Sequence, residues 1–128
     1  MFDFSLFRHD AHFTELEPGQ VLYREGDPGD LLYVFVEGEA QISMGGVAIE
    51  ELGPGSFVGE MAVIDGSPRY ATVTAKTHCR LAKIDERRFV FLLDETPGFA
   101  ITVIRAIAQR LKTCDLRLLA TLADKPGG

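Results

Sequence analysis

Long apolar runs, a basic surplus and a cysteine framework are all missing from this chain, and each absence removes a class of function. The longest hydrophobic stretches fall far short of the roughly 20 residues a membrane-spanning helix needs, so no membrane partner is expected. Thirteen basic against nineteen acidic side chains leave a formal charge of −6. That is the wrong sign for neutralising nucleic-acid phosphates, so no nucleic-acid partner is expected either. Two cysteines, Cys79 and Cys114, do not make a disulfide framework or a metal site. Three histidines, His9, His12 and His78, form no ligand cluster, and Ser56 and Ser67 lack an identifiable base. No metal ion and no enzymatic activity are expected. The N-terminus has no basic start followed by an apolar core, so it does not read as a secretory signal, and the expected compartment is the cytoplasm.

What is present is an ordinary globular composition, 46% apolar and 25% charged over 128 residues, enough for one domain with its own core. Residues 1–16, rich in phenylalanine at positions 2, 4, 7 and 13, read as a helical lead-in. Residues 17–84 then carry short strand-like runs at close spacing: 20–24, 31–37, 39–43, 47–52, 71–75 and 80–84. Gly45 and Gly46 between two of them signal a hairpin. Many short strands with Gly and Pro punctuation predict a mainly β fold, a jelly-roll barrel. The period becomes helical after Asp85, a good N-cap, and Thr96-Pro97 starts a second helix that runs to about Leu122. Residues 85–123 therefore read as C-terminal helices and 124–128 as a tail.

The most informative stretch is residues 54–72. Pro54, Gly55 and Gly59 let main chain approach a ligand closely. Gly59 and Glu60 open a short apolar run, Met61 to Ile64, whose first backbone N–H groups have no partner within the helix. Such a helix start carries partial positive charge and favours phosphate. Arg69, just after Pro68, adds a planar fork of donors suited to phosphate oxygens. Glu60 repels phosphate, but it suits a neutral hydroxyl such as that of a ribose.

Phe57, Gly59, Glu60, Met61, Ala62, Val63, Ile64, Pro68, Arg69, Ala71 and Thr72 stand in register with the phosphate-binding cassette of the cyclic nucleotide-binding domains. The run from Pro18 to Asp27 resembles that family's first barrel strand and turn, and Leu32 to Gly38 its next strand. The resemblance implies that Arg69 holds a cyclic phosphate and Glu60 accepts from the ribose 2′-hydroxyl. Backbone N–H groups of Gly59, Met61 and Ala62 would complete the cradle. It also implies that Ile42, Ile49 and Met61 line a base pocket, and that the ligand is a cyclic nucleotide, cAMP before cGMP. Tyr70 departs from the pattern, which usually has Ala, Ser or Thr there. Its ring either turns out of the pocket, packs over the ligand or blocks the site.

Each of these residues has a plainer reading. Arg69 could pair with Glu60 or Glu50, Glu60 could merely favour the helix dipole, and Ile42 and Ile49 could be core. Ile104, Ile107, Leu111, Cys114 and Leu118 recur at spacings of three and four, either covering the barrel or forming a homodimer seam. In the activator branch of the family this helix also caps the base, near Thr113 and Cys114. Two functions follow. One is a cytosolic regulatory module that couples cyclic nucleotide binding to movement of its C-terminal helices and signals to an effector protein. The other is a scaffold that keeps the fold without binding nucleotide. With no helix-turn-helix after the long helix, DNA binding by this chain alone is not expected.

Overall fold

The computed structural model describes the backbone of residues 13–123 and the side chains of residues 13–113. The lead-in before residue 13, His9, His12, the tail and the side chains of Cys114 and Leu118 lie outside the described residues. Eight strands come first: β1 (Phe13–Leu16), β2 (Val21–Tyr23), β3 (Leu32–Glu37), β4 (Ala40–Met44), β5 (Val47–Leu52), β6 (Phe57–Val58), β7 (Thr72–Ala75) and β8 (Cys79–Ile84). Helix α1 (Glu60–Asp65) interrupts them between β6 and β7, and α2 (Glu86–Glu95) and α3 (Pro97–Ala123) follow.

The strands form two antiparallel four-stranded sheets, ordered β1-β8-β3-β6 and β2-β7-β4-β5. This is the expected β jelly roll, built as two facing sheets; hydrogen bonding does not close the described strands into a single barrel. The first sheet is buried on both faces, and the two-residue period of its strands shows how. On β3, Leu32 and Val34 face the helices while Phe35 faces the opposite sheet. On β8, Ala82 and Ile84 face the helices while Cys79 and Leu81 face inward. One core therefore lies between the sheets, and a second lies between the first sheet and the helices.

Phe13–Leu16 corrects the expected helical lead-in, because these four residues form an edge strand paired with β8, from Phe13↔Ala82 to Leu16↔Cys79. Pairing overrides the aromatic-rich local composition: Leu16 is buried in the core between the sheets, and Arg80 lies 3.9 Å over the Phe13 ring. The Gly45-Gly46 turn is as expected, with φ of 57° and 80°, values that cost glycine nothing.

Asp85 caps α2, its side chain accepting from the Arg88 N–H at 2.9 Å. The α2–α3 corner is held by Phe89 against Phe99, edge to face at 5.7 Å between ring centroids. The expected seam on α3 is corrected in one member: Ile107 packs against the core, whereas Ile104 and Leu111 stay exposed, at 64% and 60%. Ile101, half exposed, joins their stripe. Phe99→Ala should empty a fully buried ring site and cost about 3–5 kcal/mol. Asp85→Ala should cost about 1 kcal/mol. Urea denaturation would check both, with Phe99→Ala the larger loss.

Candidate functional site

The cassette folds as a turn, a short helix and a returning loop that together bring two charges of opposite sign inside the protein. Gly59 caps α1 with a left-handed φ of 90°, and no side chain caps the helix start. An alanine Cβ at Gly59 would stand 2.5 Å from the Leu31 carbonyl oxygen and 2.6 Å from Nη1 of Arg69. Both the φ and the close approach therefore require glycine there. Met61 is partly buried, and Ala62 and Val63 face inward. Glu60 has no exposed surface at all.

Arg69 is 6% exposed and sits in the loop between α1 and β7. Its backbone is fixed by the Gly26-Asp27 turn: Arg69 N–H donates to the Asp27 carbonyl at 2.8 Å, and Gly26 N–H donates to the Arg69 carbonyl at 2.7 Å. Its guanidinium carbon lies 4.2 Å from the centroid of the Tyr23 ring. Nη1 reaches the Gly59 carbonyl at 3.5 Å, the long limit of a hydrogen bond, and the buried Nε has no partner. Burial pushes the Tyr23 phenol above its usual pKa despite the opposing Arg69 charge, so Tyr23 stays neutral at physiological pH.

The carboxylates do not pair with Arg69, as the plainer reading of that residue had allowed. They pair with Arg110 of α3, which motif reading does not single out. Arg110 Nη1 donates to Glu60 Oε1 at 2.7 Å, and Nε and Nη2 donate to Glu50 at 2.9 and 3.2 Å. Nη2 also donates to the Phe57 carbonyl at 2.6 Å. Burial works against the Arg110 charge, but Glu60 and Glu50 outweigh it and hold its pKa above the usual arginine value. Helical spacing carried the signal. Phe99, Val103, Ala106 and Arg110 fall on one face of α3, and the first two are core. A charge that continues a buried stripe calls for a buried partner.

With Glu60 Oε1 bound to Arg110, its Oε2 remains buried with no partner. The site thus holds one uncommitted acceptor and one buried cation with no carboxylate partner among the described residues. Ile42 is 1% exposed in the core between the sheets, and Ile49 is partly buried against the same cluster. Tyr70 also packs against that cluster, within electrostatic reach of Tyr23 and Arg110. Its ring has therefore turned inward. The Thr113 hydroxyl donates to the Gln109 carbonyl of its own helix at 3.1 Å. A depression of about 620 Å³ lies beside the start of α2, lined by Leu31, Lys83, Asp85, Arg87, Arg88 and Phe91; it includes no cassette residue and is not this site. Among the described residues no group of three His, Cys, Asp or Glu is placed to hold a metal ion, and no helix is long and apolar enough to cross a membrane.

The cyclic nucleotide-gated potassium channel mll3241 of Mesorhizobium japonicum is 42% identical over 82 residues, covering 64% of this chain and 22% of the channel. The chain thus spans under a quarter of that relative's length. The cAMP-bound PfPKA-R structure superposes with a TM-score of 0.73 at 25% identity, covering 80% of this chain and 36% of the other. The catabolite activator protein of Thermus thermophilus superposes with a TM-score of 0.72 at 24% identity, covering 91% and 62%, and so supports the fold. The cyclic nucleotide-binding domain family matches residues 13–96, from β1 through the end of α2. With the cassette inside that span and both sheets accounted for by it, the chain belongs to the cyclic nucleotide-binding domain family.

Proposed function

We propose that this chain is a cyclic nucleotide-binding regulatory module, a receptor for cAMP in preference to cGMP and not an enzyme. The observation that carries this reading is the pairing of an uncommitted Glu60 oxygen with an unneutralised, buried Arg69 beside a helix start that no side chain caps. In this reading Arg69 binds the cyclic phosphate, with backbone N–H groups of Gly59, Met61 and Ala62 beside it. Glu60 accepts from the ribose hydroxyl, and Ile42, Ile49, Met61 and Tyr70 bound the base. The cAMP-bound PfPKA-R structure supports the choice of ligand.

Arg110 supplies the coupling, because it ties α3 to the same carboxylate that meets the ribose. A ligand that changes how Glu60 is hydrogen-bonded changes the hold on α3, and the equilibrium moves by the difference in affinity for the two arrangements. The module acts in the cytoplasm and passes its signal to an effector protein. A homodimer forms through the exposed α3 stripe of Ile101, Ile104 and Leu111.

A scaffold that does not bind nucleotide is the second reading. It is favoured by the Arg110 contact that already occupies one oxygen of Glu60 and by the inward turn of Tyr70. Calorimetric titration with cAMP and cGMP, using Arg69→Ala as control, separates the two. The expected result is micromolar or tighter binding that weakens at least about thirtyfold in the variant, the cost of removing one partner of a desolvated charge pair. Silence toward both nucleotides, in calorimetry and in thermal shift, favours the scaffold.

Arg110→Met should destabilise the fold by about 3 kcal/mol, since it strands a buried carboxylate. It should also uncouple the helix. Hydrogen exchange of α3 should respond to cAMP in the wild type and not in Arg110→Met. For the dimer, Ile104→Glu should halve the mass measured by light scattering.

A further inference from the structure

A buried arginine ordinarily needs a carboxylate, and the two buried arginines among the described residues differ in whether they have one. Arg110 has two carboxylates and a carbonyl. Arg69, equally buried, has none among the described residues and rests instead on an aromatic ring. That difference has a chemical consequence. A carboxylate binds the guanidinium in its plane, using the same forked N–H donors that a phosphate would use. A ring attracts it through the π face and leaves those donors unspent.

We infer that Tyr23 is a positioning residue for anion binding, its ring face holding the Arg69 guanidinium in place of a carboxylate so that the N–H donors stay available to a phosphodiester. The inference rests on the reading of the site as a cyclic nucleotide receptor and deepens it. The geometry around the ring fits the role. The register shifts between Val21 and Tyr23 where β2 pairs with β7, a bulge of the kind that re-aims a side chain. Tyr33 lies beside Tyr23, 6.5 Å between ring centroids, and also feels the Arg69 charge. Two glycines approach the guanidinium closely, where any side chain would collide with it. A Cβ at Gly29 would lie 2.4 Å from Nε and Nη2, and one at Gly59 would lie 2.6 Å from Nη1. The cation is therefore held closely without a carboxylate among the described residues to neutralise it.

The test replaces Tyr23 with two rings of matched shape and opposite face charge. Tyr23→Phe keeps the negative face; Tyr23→pentafluorophenylalanine reverses it. Urea midpoints without ligand and calorimetric affinities for cAMP are measured for both variants and the wild type. The expected result is that the phenyl variant binds within about twofold of wild type while the fluorinated variant binds about tenfold more weakly, at matched urea midpoints. Equal affinity in the two variants overturns the role of the ring face, as does a phenyl variant weakened as much as the fluorinated one, which would assign the effect to the hydroxyl. A wild type that binds no cAMP overturns the receptor reading itself, and this inference with it. Binding by the wild type with no difference between the rings overturns the inference alone.

Discussion

The hold of Arg110 on Glu60 and Glu50 is the constraint on which the rest of the arrangement depends. A guanidinium on the apolar face of α3 cannot be buried alone, and Glu60, with no exposed surface, cannot be either. Each makes the other tolerable across a separation of 50 residues in sequence. Replacing such a cluster with apolar side chains of similar volume is often neutral or stabilising. Its net contribution to stability is therefore small, while its demand on geometry is large. Helix α3 must sit where Arg110 can reach α1, β5 and the Phe57 carbonyl at once. The Phe89–Phe99 corner and the core under α2 supply the burial that makes this placement possible.

The doubly buried sheet explains how that placement can bear on a ligand. Because β3 and β8 present apolar side chains to both faces, they separate a core that fixes the sandwich from one that seats the helices. Phe57 and Val63 belong to the second core, although both lie within the cassette. The cassette and the C-terminal helices thus share one packed volume. Close-packed interiors transmit a displacement, so in the proposed reading a shift of the cassette reaches the helices. Arg110 adds a directional link to that shared packing.

How much of this was legible in the sequence depends on distance along the chain. The cassette was legible because its chemistry lies within residues 54–72, where Gly59, Glu60 and Arg69 appear at readable spacing. Most strands were legible from their period and their glycine punctuation. Phe13–Leu16 was not, since four residues carry too little periodicity and the strand exists by virtue of its pairing with β8. The two-residue β6 was invisible for the same reason. Arg110 was missed because its partners are 50 and 60 residues away, even though its place on the buried stripe of α3 was there to be counted. Tyr23 gave no sign at all. A tyrosine in a strand is unremarkable until a bulge and a distant loop set it under an arginine.

The two buried arginines answer the same physical problem in opposite ways, and the difference separates structure from recognition. Desolvating a guanidinium is costly, and full ion pairing offsets that cost at the expense of its donors. Arg110 takes that course and becomes a fixed strut. Arg69 keeps part of the cost unrelieved: a ring face returns a fraction of the lost solvation, the long Gly59 contact adds little, and Nε has no partner. In the proposed reading, an anion that enters beside it offsets part of that cost. In the same reading the unpartnered Glu60 oxygen narrows the selection, because it repels a second negative charge and accepts only from a donor. The ligand that satisfies both, in that reading, carries an anionic group and a hydroxyl, which is the chemistry of a ribose cyclic phosphate.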